Sequence, residues 1–203
     1  MINESLKRKI LRELVSDLDT IMKKHLCESK EPDFTVSDIN GTHRVYDLKE
    51  VPELKSALFN DEPTRDDITS LNKWLRQHRD DYVRLYHGTS SELPITDKGL
   101  LKTSVKRKRS LQSEPVFVYL SIFPTTARTF GEFGYPRESV TVYAVDVKVS
   151  ELKPDTDQLK NKRMWCRDIA PDIRDTLGDS LAFGHGARIK RDILPYEIKT
   201  TRY

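Results

Sequence analysis

From Tyr82 onward the apolar residues stop recurring at helical spacing and gather into short runs, and this switch of period limits what the chain can fold into. The runs Val83–Tyr86, Val116–Ser121, Val140–Val147 and Ala187–Ile193 predict strands, and a last strand is expected near Tyr196–Thr200. Helices are expected between them, at Thr125–Phe130 and Pro171–Leu177. Strands with helices inserted, without a regular β-α-β alternation, predict an α+β fold.

The residues before the switch read differently. Asn3 can cap a helix whose apolar positions Leu6, Ile10, Leu14, Leu18 and Ile21 form one stripe, running to about Leu26. Phe34–Ile39 and Thr42–Leu48 flank Asn40-Gly41, the pair that supplies the positive φ angles of a type I′ turn, so a hairpin is expected. Val51–Phe59 predicts a short helix. Thr64-Arg65-Asp66-Asp67 reads as a capping box with Asp in the place of Glu. The helix it opens carries Ile68, Leu71 and Leu75 on one face and is expected to end near Arg79. This divides the chain into an accessory region, 1–62, and a domain, 63–203, that carries the chemistry. The stripe of the first helix is expected to pack within the same chain.

Charged residues make up 33% and hydrophobic residues 36% of the chain, and no apolar run approaches the length of a membrane span. Met1–Lys9 is polar, with no apolar signal segment behind it, so a soluble cytoplasmic protein is expected. Cys27 and Cys166 lie far apart without metal-ligand spacing, which fits a reducing compartment and predicts no metal site. A net charge of +3 is too small to indicate nucleic-acid binding by itself.

The chemistry-bearing residues stand at the ends of two apolar runs. Leu85-Tyr86-His87-Gly88-Thr89 ends the first, and Val118-Tyr119-Leu120-Ser121 ends the second. Two strands delivering a His, a Gly and a Tyr could line a cleft for a small polar-aromatic ligand.

Together with an aromatic on the following helix, these two segments resemble the ADP-ribosyltransferase superfamily. The resemblance is to the branch with a His-Tyr-Glu triad, shared by diphtheria-type toxins and poly-ADP-ribose polymerases, and it covers roughly Tyr82–Tyr203. In that branch a second aromatic often follows the motif Tyr by eleven positions, which here is Phe130. The resemblance implies a split antiparallel sheet, NAD as co-substrate and transfer of ADP-ribose to a macromolecular acceptor, protein or nucleic acid. A toxin or effector is the setting it suggests. By the same resemblance His87 would hydrogen-bond a ribose hydroxyl, and the Gly88 backbone would meet the nicotinamide carboxamide, its missing Cβ allowing close approach. Tyr119 would stack on the nicotinamide with Phe130 on its other face, and Thr89 and Ser121 would add polar contacts. Such a transfer breaks the nicotinamide–ribose bond through an oxocarbenium-like transition state, as in glycoside hydrolysis.

The third motif departs from the family. Where a Glu is usual, Ser180-Leu181-Ala182-Phe183-Gly184-His185-Gly186-Ala187-Arg188-Ile189 places His185. Its imidazole could act on the ribose as a general base, or it could be a plain loop residue between two glycines. Glu132, Asp179 and Glu197 are the other carboxylates that could fold into the site, Glu197 reading as structural. RNA 2′-phosphotransferases of the same superfamily also lack the Glu, but carry His where Tyr119 stands. That enzyme class, and a non-enzymatic module binding NAD or a nucleic-acid end, are the alternatives. Lys106-Arg107-Lys108-Arg109, with Arg163, Arg167, Arg188, Lys190 and Arg191, could serve a pyrophosphate or a nucleic-acid backbone, or be solvated.

Overall fold

The computed structural model describes residues 34–38, 41–102, 114, 116–165 and 172–200. The expected helix at Asn3–Leu26, the basic run Lys106–Arg109, Arg167 and both cysteines lie outside them. Strands β1 (Phe34–Asp38) and β2 (Gly41–Asp47) form the antiparallel hairpin expected around Asn40-Gly41, with Phe34 opposite Val45. Two short 3-10 turns follow, and then helix α1 (Lys55–Phe59), shorter than the helix expected from Val51 because Pro52 opens a separate turn.

Helix α2 (Arg65–Gln77) starts at the capping box read from the sequence. The Thr64 hydroxyl accepts from the Asp67 amide at 3.2 Å, and Asp67 accepts from the Thr64 amide at 2.9 Å. The bond from Thr64 holds the Asp67 carboxyl below its usual range. Ile68, Leu71, Trp74 and Leu75 form the buried stripe of this helix.

The remaining elements are strand β3 (Tyr82–Ser90), the turn-long helix α3 (Ile95–Lys98), β4 (Val118–Ser121), α4 (Pro124–Gly134), β5 (Val140–Lys148), β6 (Leu152–Pro154), α5 (Thr156–Trp165), α6 (Leu177–Gly184), β7 (Gly186–Ile189) and β8 (Ile198–Thr200). The class is therefore α+β, with an eight-stranded sheet that is antiparallel except where β2 runs parallel to β3.

The sheet branches at β3. β5 pairs with β3 from Tyr82 to Ser90 and occupies one edge completely. The other edge is shared: β2 takes Tyr82–Arg84, and β4 meets it at one position, Tyr86 opposite Ser121. From His87 on, among the described strands, β3 has a partner on one edge only. β4 then leads away through β7 to β6, and β5 through to β8.

The core has two parts. Val83, Leu85, Val118, Leu120, Val145 and Val147 pack with α1, α2 and α6 on one face of the sheet. Tyr86, Val142 and Ala144 pack under Ala127 of α4 on the other. The hairpin and α1 belong to the same compact unit as the later strands, Pro32–Tyr203, which begins upstream of the boundary expected at residue 63.

Four expectations shift. The strand expected at Val83–Tyr86 runs on to Ser90, because His87, Gly88 and Thr89 continue the ladder with Tyr143, Val142 and Thr141 of β5. The strand expected from Val116 begins at Val118, because Val116 has φ 75°, a conformation outside the strand region. The strand expected to reach Ile193 stops at Ile189, and Ile193 makes an isolated bridge to Leu100 instead. The helix expected at Pro171–Leu177 starts where that span ends, since the Thr176 hydroxyl caps it by accepting from the Asp179 amide at 3.1 Å.

Candidate functional site

His87 and Tyr119 meet where the sheet branches, but not side chain to side chain. His87 Nδ1 lies 2.8 Å from the main-chain oxygen of Tyr119. A carbonyl only accepts, so Nδ1 carries the proton and the neutral ring presents Nε2 as an acceptor. Burial pushes the imidazole below its usual pKa, against the opposing pull of that carbonyl, which favours the neutral ring. Side chains alternate along strands, so His87 leaves β3 on the face of Leu85, while Tyr119 leaves β4 on the face opposite Val118 and Leu120. The two side chains do not share one wall.

Gly88 is a glycine for packing. A Cβ there would lie 2.0 Å from the carbonyl oxygen of Ala127 in α4. The space that the resemblance assigns to a ligand's approach is filled by that helix. Gly131 of α4 answers it: a Cβ on Gly131 would stand 2.9 Å from the Gly88 carbonyl carbon. Thr89 is buried. Phe130 is half-buried on α4, and among the described residues neither it nor Tyr119 makes a ring–ring contact.

Tyr119 anchors a polar cluster that the sequence does not announce. Its hydroxyl donates to Asp157 Oδ2 at 2.7 Å and accepts from the Glu114 amide at 2.7 Å. Arg188, opposite Tyr119 across the β4–β7 ladder, reaches Glu114 Oε2 at 2.9 Å and lies 4.1 Å above the Phe117 ring. Burial, then the bond to Asp157, pushes the Tyr119 phenol well above its usual pKa, so it stays protonated and donates. Asp157 and Glu114 are the carboxylates that stand beside the motif Tyr. The carboxylates named from the sequence stand elsewhere. Asp179 is buried in the α6 cap, bound by Arg65 Nη1 at 2.7 Å and by the Thr176 hydroxyl. Glu197 is held by Arg191 at 2.6 Å, and Glu132 is exposed on α4.

Ser121 is committed as well. Its buried hydroxyl donates to the His185 carbonyl at 2.9 Å and accepts from the Phe123 amide at 3.2 Å. The Ile122 amide reaches the same carbonyl at 2.9 Å. These bonds pin the His185 backbone to the end of β4, while its ring lies edge-on to Phe123, with centroids 5.0 Å apart, and lines a separate cleft. His185 is thus not gathered with His87.

Asp155, two residues before Asp157, holds the start of α5. Its Oδ1 accepts from the amides of Asp157 at 3.2 Å and Gln158 at 3.1 Å, as an N-cap does. Burial raises its carboxyl to about 6. The folded chain therefore binds this proton more tightly than the unfolded chain, and stability falls as pH rises through about 4 to 6. Asp155→Asn keeps a capping oxygen without the charge. It is expected to be more stable than the parent above pH 6 by on the order of 2 kcal/mol, with the gap closing near pH 4. Urea unfolding at pH 4 and 7 measures this; a variant no more stable at pH 7 refutes it.

No protein-family model matches the sequence, and a search of the curated proteins finds no match.

Proposed function

We propose that the chain is an NAD-dependent mono-ADP-ribosyltransferase, cleaving the nicotinamide–ribose bond and passing ADP-ribose to a macromolecular acceptor. One observation carries the reading: His87 is held by the Tyr119 carbonyl at the point where β3 and β4 part. The fixed tautomer leaves Nε2 to accept from a ribose hydroxyl. Because His87 and Tyr119 leave the sheet on opposite faces, a ligand touching both must straddle the open edge of β3. In NAD the directly bonded nicotinamide and ribose would lie across that edge.

In this reading Nε2 of His87 orients the ribose, the Tyr119 ring with Phe130 holds the nicotinamide, and Thr89 lies next along β3. NAD supplies the glycosidic bond to be broken and the charge that develops on breaking it. Asp157, bonded to the Tyr119 hydroxyl, is the carboxylate nearest the motif Tyr and takes the place that the third motif leaves without a Glu. A module that binds without turnover is the second reading, favoured by the position of His185 apart from His87.

Incubation with labelled NAD and a mixture of protein, RNA and DNA is expected to label one macromolecular class and release nicotinamide. Neither label nor nicotinamide would sink the enzyme reading. His87→Ala is expected to lower the rate about 100-fold or more, the scale of losing one preorganised polar contact to the reacting group. Tyr119→Phe retains the ring and tests the hydroxyl separately. A His87→Ala rate equal to the parent's removes that residue from the site.

A further inference from the structure

Between α1, α2 and α6 lies a cleft of about 600 Å³ that the transfer reading does not use. One wall is aromatic. Phe59 is 56% exposed although large and apolar, and its ring meets Phe123 at 5.2 Å; Phe123 in turn meets His185 at 5.0 Å. The rest of the lining mixes apolar side chains, among them Leu58, Ile173 and Phe183, with charges of both signs: Asp61, Glu62 and Asp172 against Lys162. Arg65 also lines it, but its guanidinium is neutralised by Asp179 at 2.7 Å.

His185 adds the second observation. It occupies the left-handed region, φ 52° and ψ 23°, at the C-cap of α6. Glycine is the usual residue there, and the chain has glycine on both sides of it. The strained position nevertheless carries an imidazole, and its ring is in the cleft. Burial, then the Lys162 charge, lowers its pKa, so the neutral ring offers one donor and one acceptor.

We infer that this cleft binds a nucleobase. An aromatic wall takes the face of a planar heteroaromatic ring, and donors and acceptors side by side match its edge. The carboxylates disfavour a cluster of phosphates, so the base and not the phosphate backbone is what the cleft selects. The inference does not depend on NAD chemistry.

The full chain is titrated with adenosine, guanosine, cytidine and uridine, and separately with inorganic phosphate. At least one nucleoside is expected to bind with a dissociation constant of about 1 mM or below, and phosphate is not expected to displace it. No binding by any nucleoside at about 10 mM, or displacement by phosphate, overturns the inference. Phe59→Ala is expected to weaken binding about ten-fold or more. His185→Gly is expected to lose binding while its thermal midpoint rises by about 2–4 °C, because glycine relieves the left-handed backbone. Unchanged affinity in either variant overturns the assignment. NAD and a single-stranded oligonucleotide distinguish the sources of the base. Whichever binds more tightly than its free nucleoside, and loses that gain in Phe59→Ala, is the natural form; equal affinities assign the site to the free base. Failure of NAD labelling alone leaves this result standing.

Discussion

Replacing Arg84 with leucine is expected to remove about 3–5 kcal/mol of stability, a large part of what a domain of this size holds. Arg84 and Asp146 are register partners on β3 and β5, joined in fork geometry: Nε to Oδ1 at 2.8 Å and Nη2 to Oδ2 at 2.9 Å. Asp146 is only 3% exposed, so removing the guanidinium leaves a carboxylate without that partner in a region that solvates charge poorly. The bond to Asp146 holds the guanidinium pKa above its usual value, which fits a pair stabilised as ions. Replacing both residues with leucine is expected to recover at least half of the loss, since a buried pair exchanged for apolar side chains is often neutral. Urea unfolding of the parent, the single variant and the double variant checks this. A single variant that loses less than about 1 kcal/mol would mean that the pair is screened like a surface ion pair.

Gly88→Ala is expected to be nearly as severe, lowering stability by about 3 kcal/mol and the thermal midpoint by roughly 6–12 °C. The added methyl meets Ala127 backbone at 2.0 and 2.7 Å, and backbone cannot rotate away as a side chain can. Either α4 lifts from β3 or β3 distorts beside His87. The experiment also separates two roles for the glycine. If Gly88 serves only a ligand's approach, the alanine variant keeps its midpoint and loses NAD binding. If it serves the helix, as the contact with Ala127 indicates, the midpoint falls whether or not NAD is present.

What was legible in the sequence was local chemistry. Asn40-Gly41 marks a turn through its own φ preference, and Thr64 with Asp67 marks a helix start through two hydrogen bonds within four residues. Helix α5 was illegible because burial gives it no stripe: of its described side chains only Leu159 is fully enclosed, so no period stands out. Helix α6 was placed several residues too early, since Thr176 looks like any hydroxyl until it is seen to cap the helix through the Asp179 amide. The Tyr119 cluster is non-local, drawing Asp157 and Arg188 from other elements, and no spacing rule brings them together. The Asp155-Thr156-Asp157 segment did carry a usable signal, an Asp at an N-cap position, and the charge beside it then follows. His87 and Tyr119 were legible as residues on neighbouring strands, though His87 lies within β3 and not at its end; that they leave opposite faces was not legible, because the sheet branches between them.

The branch at β3 also decides how the sheet can come apart. Without β3 the described strands fall into three pieces: β1 with β2, β5 with β8, and β4 with β7 and β6. No two of these pieces are joined by a ladder of their own. Main-chain amides of Tyr82–Arg84, which are paired on both edges, should therefore exchange with solvent only when the whole sheet opens, whereas those of β8 can exchange through fraying of one short ladder. Nine residues, Tyr82–Ser90, thus hold the cooperativity of the sheet, and the His-Gly pair is part of that hub. A substitution that probes the candidate site at His87 or Gly88 therefore also tests the hub of the sheet.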